Sequence, residues 1–313
     1  MNQSIAFNRL LHLNIQYFDV ICMKRKSYKM ARVLIASFSQ TGSTKKVADL
    51  IAKGLHSSNW EITHFNISGN DMPNLDQYDI IGIGSPTYFF RPPFIVMDFV
   101  NNMDGLGNKS TFVFVTHGTH TGNCGNWIRK TLIRKGSKDL GYFNSFGEDY
   151  WLGYIKRGVL FSPGSPSNEE LESAKQFGKT LISRYDDQNL EVESFDPSTP
   201  AMYSFERMLV ARPFAKLMYS KTFRASKECD NCGLCIKKCP NNNISENKSG
   251  KLKWSSNCML CATCELVCPK DAVHSAFDWM IFAPFMNYNI RKSKKKEIPF
   301  AAVEHSGGKT HHI

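Results

Sequence analysis

The sequence has no hydrophobic run long enough to cross a membrane. Its most apolar stretch, "FDWMIFAPFMNYNI" from Phe277, is about fourteen residues long and is interrupted by Asp278 and Pro284, whereas a spanning helix needs about 20 apolar residues. The P-loop spacing is absent, and "GIGSPT" near Ile80 lacks the third glycine of a dinucleotide-binding motif. No nucleophile–base pair and no acid–base pair of carboxylates stands out. No motif in the sequence therefore indicates hydrolysis or nicotinamide binding.

Acidic residues are in the minority, with 28 Asp and Glu against 39 Lys and Arg and a net charge of +11. The excess lies at the two ends, because residues 1–29 and residues 287–313 each carry a net +4, which leaves +3 for the rest. Solvated basic ends are the preferred interpretation. The alternative is attraction to acidic partners or to an anionic membrane surface, the latter as peripheral contact through a basic tail. We predict no nucleic-acid partner.

Residues 1–29 are amphipathic and poor in acidic residues, but they lack the apolar core of a secretory signal. Two interpretations stay open, an organellar presequence or an extension upstream of a true start at Met30, and the second is preferred. The remainder has the composition of a soluble globular protein, with 42% hydrophobic and 21% charged residues. We expect a cytoplasmic protein.

Eight of the ten cysteines lie in two runs, "CDNCGLCIKKCP" from Cys229 and "CMLCATCELVCP" from Cys258. Both runs have the spacing C-x₂-C-x₂-C-x₃-C-P, and they start 29 residues apart, which indicates an internal duplication. Zinc is the alternative, but it usually takes C-x₂-C pairs separated by a longer loop. Three thiolates at these intervals suit three corners of an iron–sulfur cubane. Gly250, between the runs, predicts a hairpin turn.

This spacing resembles that of bacterial two-cluster ferredoxins, in which the fourth cysteine of each run ligates the other cluster. The resemblance implies two [4Fe–4S] clusters with two ligand sets. The first cluster is held by Cys229, Cys232, Cys235 and Cys268. The second cluster is held by Cys258, Cys261, Cys264 and Cys239. The first run departs from the usual ending at Asn243, where a small residue is commoner.

The segment "RVLIASFSQTGSTKKVADLIAKGL" from Arg32 predicts a strand, a hydroxyl-rich loop and an amphipathic helix. Free N–H groups at a helix N-terminus, completed by hydroxyls, form a site for a phosphate. The alternative is an ordinary Ser/Thr helix cap. The candidate phosphate-binding residues are Ser39, Gln40, Thr41, Gly42, Ser43 and Thr44.

Alternating strands and helices continue through the first half of the chain. Further strands are predicted at "WEITHFNI", "DIIGIGSPTYFFRPP", "STFVFVTHG" and "EDYWLG", and helices at residues 95–102, 126–135 and from Asn168. Five strands with intervening helices predict an α/β fold with a doubly wound parallel sheet. Ligands bind such a sheet at the carboxyl ends of its strands, where the loops 39–44, 85–92 and 116–125 are expected to converge.

These loops resemble the FMN site of the flavodoxins, whose phosphate loop "[TS]-x-T-G-x-T" is matched by residues 39–44. The resemblance covers residues 31–185. It implies an FMN-binding, flavodoxin-like, doubly wound five-stranded parallel sheet, followed by a small α+β two-cluster ferredoxin domain. The residues that it places beside the flavin ring are Ser85, Pro86, Thr87, Tyr88, Phe89, Thr116, His117 and Gly118.

The whole chain resembles the flavodoxin–ferredoxin fusion family known as EFR-type ferredoxins. We expect an FMN-binding domain at 30–186, a helical connector at 187–227, the ferredoxin domain at 228–275 and a basic tail at 276–313. The resemblance implies electron transfer between the clusters, FMN and redox protein partners.

The alternative is a flavin-dependent reductase of a small molecule such as a quinone or a nitroaromatic, fed with electrons by the clusters, so whether the chain is an enzyme stays open. His117, His120 and Cys124 are candidates for proton handling, although loop hydrogen bonding and an inert thiol are preferred for them. A cleft with an open substrate pocket favours the reductase, and a cleft covered by the tail or the ferredoxin domain favours the carrier.

Overall fold

A computed structural model describes residues 30–56, 60–68, 71–187, 191–198 and 201–303. The interpretations of residues 1–29 lie outside these ranges. The described residues after Met30 belong to one compact unit. Below, residues 30–186 are called the sheet domain, 187–227 the connector, 228–275 the cysteine domain and 276–303 the C-terminal segment.

Five parallel strands form the centre of the sheet domain. They are β1 (Arg32–Ser37), β2 (Glu61–Asn66), β3 (Ile80–Pro86), β4 (Ser110–His117) and β5 (Lys138–Phe146). Their order is β2-β1-β3-β4-β5, which is the order of flavodoxin-like doubly wound sheets. The predicted fold class is confirmed.

Helices cover both faces of this sheet. They are α1 (Ser43–Leu55), α2 (Phe94–Asn102), α3 (Cys124–Arg134) and α5 (Asn168–Asp186), whereas the short α4 (Leu152–Ile155) packs against residues 159–161. Because both faces are covered, β4 is buried along its whole length and β3 along all but its last residue, which explains their near-continuous apolar sequences. Ser167 caps α5 in a reciprocal capping box with Glu170.

The prediction of a strand at "EDYWLG" is wrong. The fifth strand is β5, whose sequence "KDLGYFNSF" contains Gly141 in a left-handed conformation (φ 135°) and a register shift opposite Thr111 and Phe112. These irregularities interrupt the apolar pattern that marks the other strands. In "EDYWLG", the carboxylate of Asp149 accepts a hydrogen bond from the N–H of Trp151 at 3.1 Å, which turns the chain into α4.

Smaller elements follow the sheet domain. Its last strand is β6 (Val159–Phe161), and the connector holds α6 (Ala201–Leu209), α7 (Arg212–Leu217) and β7 (Arg224–Ala225). The cysteine domain holds α8 (Leu234–Lys237), β8 (Ile244–Glu246), β9 (Leu252–Trp254), α9 (Thr263–Leu266) and β10 (Val273–His274). The C-terminal segment holds α10 (Ala283–Lys295) and β11 (Phe300–Ala302).

Pairing of these short strands ties the parts of the chain together. β8 and β9 form an antiparallel hairpin whose turn contains Gly250 at φ 74°, as predicted. β10 pairs with β7 of the connector, and β11 pairs with β6 of the sheet domain. The C-terminal segment therefore returns to the sheet domain as a helix and a strand.

Helices α1 and α5 approach each other closely at two glycines. A Cβ atom on Gly178 would lie 2.3 Å from the carbonyl oxygen of Ile51, and one on Gly54 would lie 2.1 Å from that of Lys175. Since these neighbours are backbone atoms, they can move aside only if the helices separate.

We expect Gly178→Ala to lower the thermal unfolding temperature. Alanine gains about 1 kcal/mol of helix propensity over glycine, but overpacking against backbone costs about 1–3 kcal/mol, so the clash prevails. Circular dichroism of the cofactor-loaded protein measures the change. Lys179→Ala, at the exposed neighbouring position, is the control and should leave the temperature nearly unchanged. An unfolding temperature for Gly178→Ala at or above that of the parent protein would contradict the argument.

Candidate functional site

A large cleft opens at the carboxyl ends of the parallel strands. Its empty volume is about 1370 Å³, including the solvent at its mouth. The loops after β1, β3, β4 and β5 all contribute to its walls.

The loop after β1 combines a helix N-terminus with several hydroxyl groups. Gly42 precedes α1 with φ 96°, a left-handed conformation that favours glycine, and as the N-cap it has no capping side chain. The hydroxyl of Ser39 accepts a hydrogen bond from the N–H of Lys45 at 3.2 Å. The buried hydroxyl of Thr44 lies 2.7 Å from that of Thr116. The first N–H groups of a helix lack partners within it, so this end of α1 suits an anion.

Five of the six predicted phosphate-binding residues line the cleft. They are Ser39, Gln40, Thr41, Ser43 and Thr44. Gly42 does not line it but sets the backbone path into α1. Because the N-cap position is occupied by Gly42, an ordinary Ser/Thr cap does not account for the hydroxyls of Ser43 and Thr44.

The loop after β3 presents aromatic side chains to the cleft. Pro86, Thr87, Tyr88 and Phe89 line it, as predicted. Ser85 lies behind the wall, where its hydroxyl donates to the carbonyl of Pro86 at 2.8 Å. The loop turns tightly, with the N–H of Tyr88 donating to the carbonyl of Arg91 at 2.9 Å and Phe89 left-handed at φ 47°.

The carboxyl end of β4 and the loop after it contribute Thr116, His117 and Gly118. Burial lowers the pKa of His117 to about 4, so its imidazole is neutral at physiological pH. Its buried Nδ1 has no hydrogen-bond partner among the described residues. Gly118 is required because a Cβ atom there would lie 2.2 Å from that of Asp149.

Sequence analysis missed the loop after β5. Residues 147–151 line the cleft, and the Trp151 ring meets the Phe89 ring edge-on at 5.0 Å. Burial raises the pKa of Asp149 to about 6, although its hydrogen bond from the Trp151 N–H opposes this shift. The rule that ligands bind at strand carboxyl ends would have found this loop if the fifth strand had been assigned to residues 138–146.

The remaining walls come from parts of the chain that are distant in sequence. The connector contributes Glu206, Leu209, Val210 and Tyr219; the cysteine domain contributes Leu260 and Cys261; the C-terminal segment contributes Phe277, Phe282, Phe285, Met286 and Asn289. No local sequence pattern marks these residues as cleft residues.

The side chain of Gln40 connects the cleft to the cysteine domain. Its amide nitrogen donates to the carbonyl of Cys261 at 2.9 Å and lies 2.8 Å from the hydroxyl of Thr263. Its amide oxygen accepts a hydrogen bond from the hydroxyl of Tyr88. Gln40 of the phosphate loop therefore connects the aromatic side chain of Tyr88 to the backbone of Cys261, a predicted cluster ligand.

Of the three candidates for proton handling, His117 and His120 line the cleft and Cys124 does not. Burial raises the pKa of the Cys124 thiol to about 12, and this thiol lies 3.6 Å from the hydroxyl of Ser85, as an inert thiol would. Burial, with Lys296 and Lys292 nearby, lowers the pKa of His120 to about 4. The Nε2 atom of His120 lies 3.2 Å from the hydroxyl of Tyr203.

The first predicted ligand set lines a small cavity in the cysteine domain. All four of its members, Cys229, Cys232, Cys235 and Cys268, line that cavity. Burial raises the pKa of Cys235, and the other three thiols raise it further. Among the described residues, no three His, Cys, Asp or Glu side chains form a group that could hold a single metal ion.

The four members of the second predicted set are also neighbours. Burial raises the pKa of Cys258 to about 12, with contributions from the thiols of Cys261 and Cys239. Burial likewise raises the pKa of Cys264, and here Cys261 and Cys258 add to it. Thiolates that repel one another in this way need a cationic centre to remain ionised, and metal ligation supplies one.

The backbone repeats its conformation across the two cysteine runs. Asn231 and Leu260 are left-handed at φ 55° and 61°, and Asn242 and Asp271 at 48° and 47°. Each pair is separated by 29 residues, the interval between the runs. The thiols of Cys239 and Cys268 each accept a hydrogen bond from the N–H four residues later, at 3.3 and 3.2 Å. The predicted duplication is thus a repeat of conformation as well as of sequence.

Comparison with known proteins identifies two domains in the chain. Residues 34–148 match the family model of a flavodoxin domain, and residues 228–273 match that of a 4Fe-4S dicluster domain. The chain therefore contains a flavodoxin domain and a 4Fe-4S dicluster domain. Its cofactors are FMN and two iron–sulfur clusters, and it is an electron-transfer protein.

Individual relatives are similar to the sheet domain. An uncharacterized protein of Methanocaldococcus jannaschii is 27% identical over 142 residues, which are 45% of this chain and 90% of that protein. Oxidised flavodoxin 2 from Bacillus cereus is 24% identical, with a TM-score of 0.41 over 49% of this chain and 99% of its own. The flavodoxin of Streptococcus pneumoniae TIGR4 is 19% identical, with a TM-score of 0.40 and the same shares.

The residues present fit both kinds of cofactor. For FMN, the α1 N-terminus with its hydroxyls, the aromatic loops and the unpartnered Nδ1 of His117 offer an anion site, apolar walls and a polar contact. For the clusters, the two groups of four neighbouring thiols supply the donors. In the part of the chain that the structure describes, no helix is long and apolar enough to span a membrane.

We expect Thr44→Val to weaken FMN binding by about tenfold or more. The substitution preserves shape but removes a hydroxyl at the anion site, and a hydrogen bond to a charged group contributes about 1.5–3 kcal/mol, where 1.4 kcal/mol is tenfold in affinity. Titration of flavin-free protein with FMN, followed by fluorescence quenching, measures the dissociation constant. Thr180→Val on α5, outside the cleft, is the control, and equal constants for both variants would contradict the expectation.

We expect Asp149→Asn to change how FMN affinity depends on pH. With a pKa of about 6, the carboxyl is neutral below pH 6 and charged above it, so its repulsion of the anionic ligand grows as the pH rises through 6. Asparagine keeps the acceptor for Trp151 but never ionises. The phosphate of FMN itself titrates near pH 6, so the informative quantity is the difference between variant and parent from pH 5 to pH 8. Parallel curves would contradict the assignment.

Proposed function

We propose that this protein passes electrons between its two [4Fe–4S] sites and its FMN cleft, and exchanges them with redox protein partners, as an EFR-type ferredoxin. In this proposal the FMN phosphate is held by residues 39–44. The two cluster sites are the two cysteine sets described above. When bound, FMN supplies one- and two-electron chemistry and each cluster supplies one-electron exchange.

One observation supports this function above the others: Cys261, a ligand in the second set, forms part of the wall of the FMN cleft. Gln40 holds the backbone of Cys261 there by the 2.9 Å hydrogen bond to its carbonyl. Lys156 adds a second tie between the domains, because its ammonium lies 3.4 Å from the carboxylate of Glu265. These contacts hold the second cluster site beside the cleft, so that transfer is intramolecular.

The two cluster sites differ in their exposure. Each set has one buried cysteine, but Cys232 of the first set is exposed, whereas no cysteine of the second set is. None of the four cysteines of the first set lines the FMN cleft. We therefore propose an order in which the second site faces the flavin and the first site faces the external redox partner. A reducing compartment suits such clusters, and the cytoplasm remains the prediction.

The cover over the cleft supports the carrier over the reductase. Leu260 and Cys261 of the cysteine domain and Phe277, Phe282 and Phe285 of the C-terminal segment line it, as expected for a flavin shielded by the rest of the chain. The opening of the cleft to solvent is the observation that favours the reductase, because a small molecule could enter there. Steady turnover of a quinone or a nitroaromatic by the reduced protein would support that alternative.

Anaerobic reconstitution, with iron, sulfide and flavin quantified per chain, tests the composition. We expect about eight irons and one FMN, followed by exchange of electrons between flavin and cluster signals during a dithionite titration read by absorbance and EPR. Eight irons without flavin in excess FMN would overturn the assignment of the cleft.

A matched pair of variants tests the order of the sites. Cys264→Ser removes a ligand of the second set and Cys232→Ser removes one of the first set. After flash reduction of the flavin, we expect Cys232→Ser to retain fast exchange with its remaining cluster at a rate independent of protein concentration. In Cys264→Ser the exchange should be slow and should depend on concentration. Iron analysis confirms that each variant keeps its other cluster, and equal exchange rates in the two variants would contradict the order.

A further inference from the structure

Exposed apolar side chains are concentrated in the connector and at the start of the C-terminal segment. Met280 is 89% exposed, Ile281 70% and Leu217 67%. The other members of this group are Met202, Phe205, Met208, Phe214, Met218 and Trp279. An apolar group of this extent on a protein surface marks an interaction site. We call these residues the outer face.

Ring contacts and a hydrogen bond bring the two segments of the outer face together. The ring of Tyr219, directly after Met218, lies 5.3 Å from that of Phe277 and 6.0 Å from that of Phe282. On the neighbouring helices, the amide of Asn289 on α10 donates to the carboxylate of Glu206 on α6 at 3.0 Å. The residues flanking Met280 and Ile281 therefore pack against the end of α7, and α6 packs beside α10.

One side of helix α6 is apolar and exposed to solvent, and another side is packed against the rest of the chain. Tyr203 and, directly after the helix, Val210 are buried, and Glu206 reaches α10 and the cleft wall. Met202, Phe205 and Met208 follow one another at intervals of three residues and stay exposed on a different side of the helix. Packing within the described chain thus accounts for one side of α6 and leaves the other without a partner.

Basic residues predominate in these two segments, although Arg212 is paired with Asp98 at 2.7 Å. Residues 201–222 carry four Lys and Arg against the single acidic residue Glu206, and residues 279–296 carry five and no acidic residue. The ammonium groups of Lys292 and Lys296 lie near enough to His120 to contribute, after burial, to lowering its pKa. The His120 ring lies 5.2 Å from that of Tyr203, so the basic end of α10 lies beside the start of α6.

We propose that the outer face binds the surface of an anionic membrane. Exposed Met, Ile, Leu, Phe and Trp side chains enter the boundary between headgroups and acyl chains, while surrounding cations attract anionic headgroups. The cores of protein–protein interfaces are depleted in lysine, so the abundance of lysine here favours a lipid surface over a protein groove. The contact is peripheral and independent of the electron-transfer assignment.

This placement also brings the membrane close to the cleft. Leu209, Tyr219 and Phe282 belong to the same two segments and form part of the cleft wall. A membrane bound at the outer face would lie against the other side of that wall.

Vesicle flotation with the full-length, cofactor-loaded protein tests the proposal. We compare vesicles of phosphatidylcholine alone with vesicles containing phosphatidylglycerol, at low and high salt. We expect binding to the anionic vesicles that weakens with salt. The double substitution Met280→Asp with Ile281→Asp should lower the partition coefficient by about tenfold or more, equivalent to about 1.4 kcal/mol. Ile133→Asp, an exposed apolar position on α3, is the matched control and should bind like the parent.

The charge contribution is tested in the same assay. Lys294→Glu with Lys295→Glu should weaken binding to anionic vesicles, whereas the equally exposed pair Lys53→Glu with Lys179→Glu in the sheet domain should change it much less. Unchanged iron and flavin content in every variant shows that the fold is intact.

Three results would overturn the proposal. The first is failure of the parent protein to float with anionic vesicles at low salt. The second is binding that Met280→Asp with Ile281→Asp leaves unchanged, which would assign it to another part of the chain. The third is a concentration-dependent dimer, seen by sedimentation velocity and lost in that same variant, which would identify the outer face as a contact between two copies.

Discussion

The amide of Gln40 is the contact on which the relation between the two halves depends. It lies in the loop that begins α1, accepts a hydrogen bond from Tyr88 and donates to the carbonyl of Cys261. Because an amide has both donors and an acceptor, it satisfies polar groups of two domains at once. The cleft wall is complete only where these domains meet, so the site belongs to the interface rather than to the sheet alone.

The duplicated cysteine loops show how backbone conformation serves ligation. Left-handed residues recur at equivalent positions of the two runs, and two of them, Leu260 and Ala262, flank Cys261. Such conformations are costly for residues with a Cβ atom. They turn the chain so that Cys229, Cys232 and Cys235 of the first run line one cavity together with Cys268 of the second. Asn243 has a further role here, because its side-chain oxygen accepts from the N–H of Asn257 at 2.8 Å, directly before the second run.

Much of the fold followed from local patterns. Buried strands such as β4 are mostly apolar, and a capping box marks the N-terminus of α5. Hydrophobic patterns and caps are therefore sufficient to predict these elements. β5 was not predicted, because Gly141 and the register shift beside it interrupt its apolar pattern. The aromatic residues 150–151 were predicted as a strand instead. That single error also concealed the loop with Asp149, since the loop is recognised only by its position after the last strand of the sheet.

Sequence alone determined the chemistry of the two domains. The spacing of the eight cysteines and the hydroxyl-rich loop at residues 39–44 are local features. A short stretch of chain therefore contains most of the residues that indicate each cofactor. Tertiary structure decided how those domains face each other. Contacts between residues far apart in the chain determine three features: the position of Cys261 beside the cleft, the pairing of β11 with β6, and the apolar outer face. Local propensity carries no information about such contacts, because they are selected by the packing of whole elements and by the satisfaction of buried polar groups across domains.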